Sequence, residues 1–253
     1  MITVAEVRAR RASNRPAELR QNRQHAAGSP RAKDRGGNRS RPVLAEAKAG
    51  QGSGKTQGER TAPLNGRWHG FDVVCIASGP SVTADDVETV RIWRHAADSR
   101  RVVVVNTTYQ IAPWADVLFA MDHKWWTHPD HRLPVRDFGG DKFSCSMSSA
   151  GVVKMQPPFQ HFGNSGAAAI SLAYVFGARR ILLLGYDAQR TCGRVHHHGD
   201  HPKGLGNAGS MNKWPAQFQR CAAYVGVPVI NCSRATALTC FPRGDLETEL
   251  ERQ

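Results

Sequence analysis

The segment AGQGSGKT, residues 49 to 56, nearly fits the phosphate-binding pattern G-x-x-x-x-G-K-[ST], with Ala49 in place of the first glycine. A functional loop of this kind needs a buried strand before it and a helix after it, so that backbone amides converge on the phosphates. The flanking sequences RPVLAEAK and QGERTAPLNG show neither an apolar strand nor a helical stripe. We therefore interpret this match as a coincidence within a Gly-rich segment.

A second candidate phosphate loop, ASGPS, has the surroundings that the first one lacks. It follows an apolar run typical of a buried strand and precedes a predicted helix, whose start is marked by Thr83 and Asp86 at capping-box spacing. A helix N-terminus carries partial positive charge and free N–H donors, which suit phosphate. The alternative is that the glycine and the proline only form a tight turn. The predicted phosphate loop consists of Ser78, Gly79, Pro80 and Ser81.

The loop VHHHGDHP, residues 195 to 202, concentrates four histidines and Asp200. Imidazoles and a carboxylate could bind Zn²⁺ or another transition-metal ion. One histidine could instead act as a general base or stabilise a transferred phosphate. A third interpretation is that the loop is merely polar and faces solvent.

Apolar strands alternate with helices through the rest of the chain, which predicts an α/β fold: a Rossmann-like three-layer sandwich with a mostly parallel open sheet. The segment from 123 to 150 is aromatic and Gly-rich, and we expect a long loop or a lid there. Its Trp125 and Trp126 could stack on a nucleobase or a pterin-like ring, or could pack half-buried. Strands are predicted at residues 71–77, 101–106, 115–122, 180–185 and 227–232, and helices after 83, from about 165, and around 214–226.

Polar residues stand where the predicted strands end. Ligands of open parallel sheets bind outside the carboxyl ends of the strands. Asp122 and Asp187 together could hold Mg²⁺ that bridges phosphates. The strand-end residues are Ser78, Asn106, Asp122, Asp187 and Asn231.

The order of these motifs resembles the 6-hydroxymethylpterin pyrophosphokinase (MptE-like) family, the related bacterial sialyltransferases of glycosyltransferase family 42, and phage-encoded proteins of that kind. The shared motifs are SGPS after the first strand, Asn at the end of the second, NSG opening a helix, and GYD closing the strand before the histidine loop. The resemblance spans about residues 70 to 242.

The resemblance implies a role for each matching residue. The SGPS loop would line the nucleotide phosphates, Asn106 would touch the nucleotide, and Ser165 and Gly166 would contact its base or ribose. Asp187 would lie beside the phosphates, and His198 or His201 would match the general base of the sialyltransferases. Ser78 replaces the Asn of family 42, and residues 188–213 lack its tyrosines, which disfavours sialyl transfer. The complete predicted nucleotide site is Ser78, Gly79, Pro80, Ser81, Asn106, Asn164, Ser165, Gly166 and Gly185.

The basic charge of the chain is concentrated at its N-terminus. Residues 1 to 68 contain 15 Lys/Arg and 5 Asp/Glu, and the first 60 contain no Phe, Trp or Tyr. Such a composition predicts a disordered basic tail over 1–66, followed by one Rossmann-like domain over 67–253. The tail could bind nucleic acid weakly through its phosphates, or could be sequence upstream of the true start.

The remaining composition argues against a secretion signal and a membrane span, since no apolar run is long enough. Six cysteines without a C-x-x-C pair are typical of a reducing cytoplasm.

These features favour a cytoplasmic, nucleotide-dependent transferase that moves a diphosphate or a nucleotide-activated group from ATP or a CMP- or UDP-activated donor to a small hydroxyl-bearing acceptor. In this hypothesis Mg²⁺ binds Asp122 and Asp187, and Asp187, His198 and His201 are the catalytic candidates. The alternatives are a sialyltransferase-like enzyme that uses a nucleotide sugar, and a non-enzymatic, nucleic-acid-binding phage accessory protein. The sequence predicts no particular oligomeric state.

Overall fold

Seven strands form the central sheet of the computed structural model, which describes residues 65–132, 134–149 and 151–252. Every neighbouring pair is parallel, and the order is β5-β4-β3-β2-β1-β6-β7. The predicted Rossmann-like open sheet is therefore confirmed. The strands are β1 Asp72–Ile76, β2 Arg100–Val105, β3 Val117–Phe119, β4 Asp141–Ser144, β5 Val153–Lys154, β6 Arg180–Leu184 and β7 Val229–Asn231.

Helices cover both faces of the sheet. Successive strand residues point to opposite faces, so Val73 and Cys75 lie in one core and Val74 and Ile76 lie in the other. The first core contains residues of α4 and α5, and the second contains residues of α1 and α6, which gives the predicted three layers. The helices are α1 Ala84–His95, α2 His123–Thr127, α3 Pro129–Arg132, α4 Ser165–Val175, α5 Trp214–Tyr224 and α6 Leu246–Glu251.

The central strand β1 marks the point where the direction of winding reverses. From β1 the chain adds β2, β3, β4 and β5 on one side, and then it returns through α4 to β6 on the other side. Loops after β1 and β6 consequently lead away to opposite sides and leave a crevice between them. This is where the fold favours ligand binding.

The prediction of a long loop or lid over residues 123 to 150 is wrong. This segment contains α2, α3 and β4, and β4 extends the sheet by pairing with β3. The strand DKFS escapes detection because its first two residues are not buried and Phe143 is its only large apolar residue. The edge strand β5 has only two residues, both exposed, so it carries no apolar pattern at all.

The paired tryptophans belong to the core. The exposed fractions of Trp125 and Trp126 are 4% and 5%. The indole N–H of Trp126 donates to the carbonyl of Ala120 at 2.9 Å, and the ring of Trp125 stacks on His131 at a centroid distance of 4.7 Å. The packing interpretation is therefore the one that the structure supports over base stacking.

The folded unit includes residues close to the predicted domain boundary. The N–H of Gly66 donates to the carbonyl of Val175, and buried Trp68 packs edge-on against Phe176 at 4.8 Å. The phosphate-loop match at 49–56 and the basic segment up to residue 64 lie outside the described residues. Nucleic-acid binding by that segment stays a prediction.

The capping box that the sequence predicts at the start of α1 is confirmed. The backbone N–H of Asp86 donates to Thr83 Oγ1, and the N–H of Thr83 donates to Asp86 Oδ2, both at 3.1 Å. Arg234 donates two further hydrogen bonds to the same carboxylate, at 2.7 and 3.0 Å. The carboxylate thus joins the first helix to the loop after β7.

We expect Arg234→Met to lower the free energy of unfolding by about 1–2 kcal/mol at pH 7, since it removes two charged hydrogen bonds to the buried Asp86 carboxylate. Burial raises the pKa of Asp86, but hydrogen bonds from Arg234 and Thr83 outweigh burial and hold this pKa below its usual value. A lowered pKa stabilises the fold above the unfolded-state pKa, and that contribution is lost as pH falls through the folded-state pKa. Denaturant titrations should therefore show the variant approaching wild type in acid.

The matched control is Arg91→Met, which removes an exposed pair with Glu88 on the same helix. Its cost should stay below about 0.5 kcal/mol. Equal losses in the two variants would contradict a specific role for the pair between Arg234 and Asp86.

Candidate functional site

A cleft of about 370 Å³ lies at the carboxyl ends of β1, β2, β3 and β6. Its volume is within the usual range for small-molecule sites. Four of the five strand-end residues line it, and Asn231 does not, because its side chain is buried against Thr236 and Ser233. The predicted site residues that line the cleft are Ser78, Gly79, Asn106, Asp122, Asn164, Ser165, Gly166, Gly185, Asp187 and His201.

Three predicted site residues, Pro80, Ser81 and His198, are not among the lining residues of the cleft. The lining includes residues that the sequence analysis did not assign to the site. His196 was named only as part of its loop, and no sequence signal shows which imidazole of the run faces inward. The aromatic lining residues could have been found only from the amphipathic face of α5 and the side chain after Gly185. They are Tyr186, Trp214 and Phe218.

The Asp187 carboxylate holds the loop after β1. Its Oδ2 accepts the N–H of Ser81 at 2.9 Å and the hydroxyl of Thr191 at 2.8 Å, and its Oδ1 accepts the hydroxyl of Ser81 at 2.6 Å. Its exposed fraction is 1%. The residue therefore has a structural function that fits the position the sequence predicts. Its catalytic and Mg²⁺-binding roles, the latter together with Asp122, stay predictions.

Gly79 allows this carboxylate to approach. Its N–H donates to the carbonyl of Gly185 at 2.8 Å. A Cβ atom at position 79 would lie closer than van der Waals contact to the Asp187 carboxylate and to the Gly185 carbonyl. The backbone N–H groups of Gly79 and Ser81 thus already donate hydrogen bonds within the fold. They are therefore not free to bind a phosphate at the loop after β1.

The helix α4 begins at the cleft wall. Asn164 caps it, since its Oδ1 accepts the N–H groups of Gly166 and Ala167 at 2.8 and 3.1 Å. The hydroxyl of Tyr186 donates to the carbonyl of Gly166 at 3.2 Å. A side chain at position 166 would press on Tyr186 and Phe218, so the small residue permits the close packing that the sequence predicts.

Backbone strain is concentrated around the cleft. Among the described residues, five that are not glycine have positive φ, and three of them line the cleft: Asn106, Ala188 and Ala208. The left-handed conformation costs an alanine about 1–2 kcal/mol. Strain of this kind persists where the surrounding structure imposes it, and it is commonly found at functional sites.

The histidine loop folds against the cleft rather than into solvent. The rings of His196 and His198 stack at 5.1 Å, and His201 lies 4.7 and 4.8 Å from them. Ser78 fixes the loop, because its Oγ lies 2.9 Å from Nδ1 of His196 and its carbonyl accepts the N–H of His197 at 2.8 Å. The polar, solvent-facing interpretation of the loop is therefore wrong for these side chains.

Burial keeps these imidazoles neutral. It lowers the pKa of His196 to about 4 and that of His198 to about 3, and repulsion from the neighbouring histidines lowers both further. The pKa of His201 is also lowered by burial. Neutral imidazoles at pH 7 offer lone pairs but are weak proton acceptors. This electrostatic environment favours metal or ligand contact over a base that titrates near neutral pH.

Comparisons with protein-family models, curated proteins and solved structures gave no match to this chain. The family resemblance therefore stays a prediction based on short motifs. No described helix is both long and apolar enough to cross a bilayer.

We expect Gly79→Ala to lower the free energy of unfolding by about 3 kcal/mol, because the new methyl group collides with the Asp187 carboxylate and with backbone. Gly206→Ala is the matched control, since Gly206 also lines the cleft but has open space where a Cβ would lie. Its effect should stay within about 0.5 kcal/mol. Denaturant melts of both variants test this, and a tolerated Gly79→Ala would show that the two loops are not in close contact.

Comparing Asp187→Asn with Asp187→Ala should distinguish how much the hydrogen bonds of this side chain and how much its charge contribute to the free energy of unfolding. An amide can keep all three bonds, because its oxygen can accept from Ser81 N–H and Thr191 while its nitrogen donates to the Ser81 hydroxyl. We expect a loss of about 1 kcal/mol for Asn and about 3 kcal/mol for Ala, measured by urea unfolding. Equal losses for the two variants would indicate that charge, not hydrogen bonding, holds the loop.

Proposed function

We propose that the chain is a nucleotide-dependent transferase that binds its donor in this cleft. The main observation behind this proposal is that Ser78, Asn106 and Ser165 line one cleft, at the point where the winding of the parallel sheet reverses. Ser78 follows β1, Asn106 follows β2 and Ser165 begins α4, so residues far apart in sequence supply polar groups to one cavity. Such a position is where open α/β sheets bind nucleotides.

The lining supports a role for each side of the cleft. Trp214, Phe218 and Tyr186 offer an apolar wall for a base, and the hydroxyls of Ser78 and Ser165 and the amide of Asn106 offer hydrogen bonds. Asp122 lines the same cavity and could hold Mg²⁺.

In the proposed reaction an acceptor hydroxyl attacks the activated phosphorus of the donor. An oxygen–phosphorus bond forms, the bond to the leaving nucleotide breaks with its electron pair, and the hydroxyl proton passes to a neutral imidazole of the histidine loop or to water. Of the two histidines that the sequence predicts as catalytic, His201 is the one that lines the cleft, and it could accept this proton when no metal ion occupies its ring nitrogen. A nucleotide-sugar donor would place an anomeric carbon where the phosphorus lies.

Calorimetric titrations of ATP, CMP and UDP, each with and without Mg²⁺, test the proposal and select the donor. Preferential binding of ATP supports diphosphate transfer, whereas preferential binding of CMP or UDP supports transfer of a nucleotide-activated group. Failure of all three to bind refutes the proposal.

We expect Asn106→Gly to weaken binding of the preferred nucleotide about tenfold, or about 1.4 kcal/mol, because it removes an amide from the cleft. Glycine accepts the left-handed backbone at this position, where φ is 52°, so the fold should persist. Ala188→Gly is the matched control, because it also replaces a left-handed cleft residue but removes no polar group. Calorimetry should show nearly unchanged affinity for Ala188→Gly, and an equal loss in both variants would assign the effect to backbone flexibility.

A further inference from the structure

Four buried ring nitrogens of the histidine loop have no hydrogen-bond partner among the described residues. They are Nε2 of His196, His197 and His198 and Nδ1 of His201. A buried polar atom without a partner is costly, and native structures rarely retain several in one cluster. Only His196, His198 and His201 also bring potential ligand atoms close together among the described residues, which indicates a shared partner that accepts nitrogen lone pairs.

We propose that His196, His198 and His201 bind a divalent transition-metal ion of the Zn²⁺ class at the edge of the cleft. One potential ligand atom from each residue lies within 4.8 Å of the other two. Tetrahedral Zn²⁺ with Zn–N bonds of about 2.0–2.1 Å places its ligand atoms about 3.4 Å apart. Side-chain rotations that move each ligand atom by about 1 Å would bring the three atoms to this spacing.

The backbone brings the three side chains together. The spacing H-x-H-x-x-H alone leaves the third histidine free to point away, but Gly199 turns the chain with a φ of 84° and donates its N–H to the carbonyl of His196. Only glycine enters this conformation readily. His201 is thereby returned to the other two rings.

Ser78 orients one of the ligands. When Nδ1 of His196 carries the hydrogen, it donates to Ser78 Oγ at 2.9 Å and leaves the lone pair on the buried Nε2 available to a metal ion. Metal-binding histidines are commonly held in this way by a hydrogen bond from the other ring nitrogen. The loop after β1 therefore acts as a support for the metal ligand.

The ion would also provide a charge that the cleft lacks. No Lys or Arg of the described chain is among the lining residues of the cleft, whereas Asp122 and Asp187 are. A phosphorylated ligand needs positive charge there. Three nitrogen ligands leave a fourth coordination position, and because His196 and His201 line the cleft, a phosphate oxygen could occupy it. This role toward phosphate rests on the proposed function, whereas the metal site itself does not.

The test uses the full-length chain, treated with a chelator and then titrated with Zn²⁺ by calorimetry and with Co²⁺ by visible absorption. We expect one ion per chain, a tetrahedral Co²⁺ spectrum, and a rise in melting temperature on Zn²⁺ addition. His198→Gln should weaken Zn²⁺ binding at least tenfold. His197→Gln is the matched control, since His197 is in the same run but outside the triad, and it should bind within about twofold of wild type.

Ser78→Ala keeps all three ligands and should still weaken Zn²⁺ binding about tenfold, which protects the test if His198→Gln fails to fold. Equal binding by the His197 and His198 variants, or no ion bound by wild type, overturns the metal site.

Nucleotide titrations of wild type with and without Zn²⁺ then separate the two proposals. Tighter nucleotide binding with Zn²⁺ supports the phosphate role. A nucleotide affinity that is the same with and without Zn²⁺ overturns this role but does not contradict the proposed function. Zn²⁺ binding without any nucleotide binding refutes the proposed function and leaves the metal site.

Discussion

The structure of the cleft depends on one buried carboxylate, that of Asp187. It follows β6 but accepts two hydrogen bonds from Ser81 in the loop after β1, so it joins the two strands at the point where the sheet changes direction. The bond from Gly79 to Gly185 brings the two backbones together and leaves no room for a side chain at position 79. A carboxylate, a glycine and a serine thus determine the position of the loop that the cleft shares with the histidines.

That loop links the ligand cleft to the histidine cluster. Ser78 contacts His196 and accepts the N–H of His197, so a shift of the loop after β1 would move the imidazoles as well. Burial keeps the imidazoles neutral, and the cleft lining of the described chain includes two carboxylates but no Lys or Arg. A ligand with negative charge therefore needs an additional cation. Magnesium on Asp122 and a transition-metal ion on the histidines are the two sources that we propose.

The strands at the far edge of the sheet have weaker sequence patterns than the central strands. The strands β4 and β5 extend the sheet beyond β3, and Phe143 is the one large buried side chain that β4 provides. The neighbouring helices α2 and α3 bring Trp125, Trp126 and His131 into the second core. Aromatic residues that suggested a ligand platform therefore serve to complete the packing of an edge.

The sequence by itself determined the parallel α/β class, the existence of five apolar strands, the capping box of α1 and four strand-end residues that line the cleft. These features depend on local periodicity and on the rule that parallel strands end at one edge, so they can be read without tertiary contacts. Only the tertiary structure decided that β4 and β5 belong to the sheet, because their few residues show no period. It also decided that the amides of Gly79 and Ser81 are used by the fold, and that His196 rather than His198 lines the cleft. Those outcomes depend on which distant group lies within a few ångströms of each atom, and local sequence does not encode that distance.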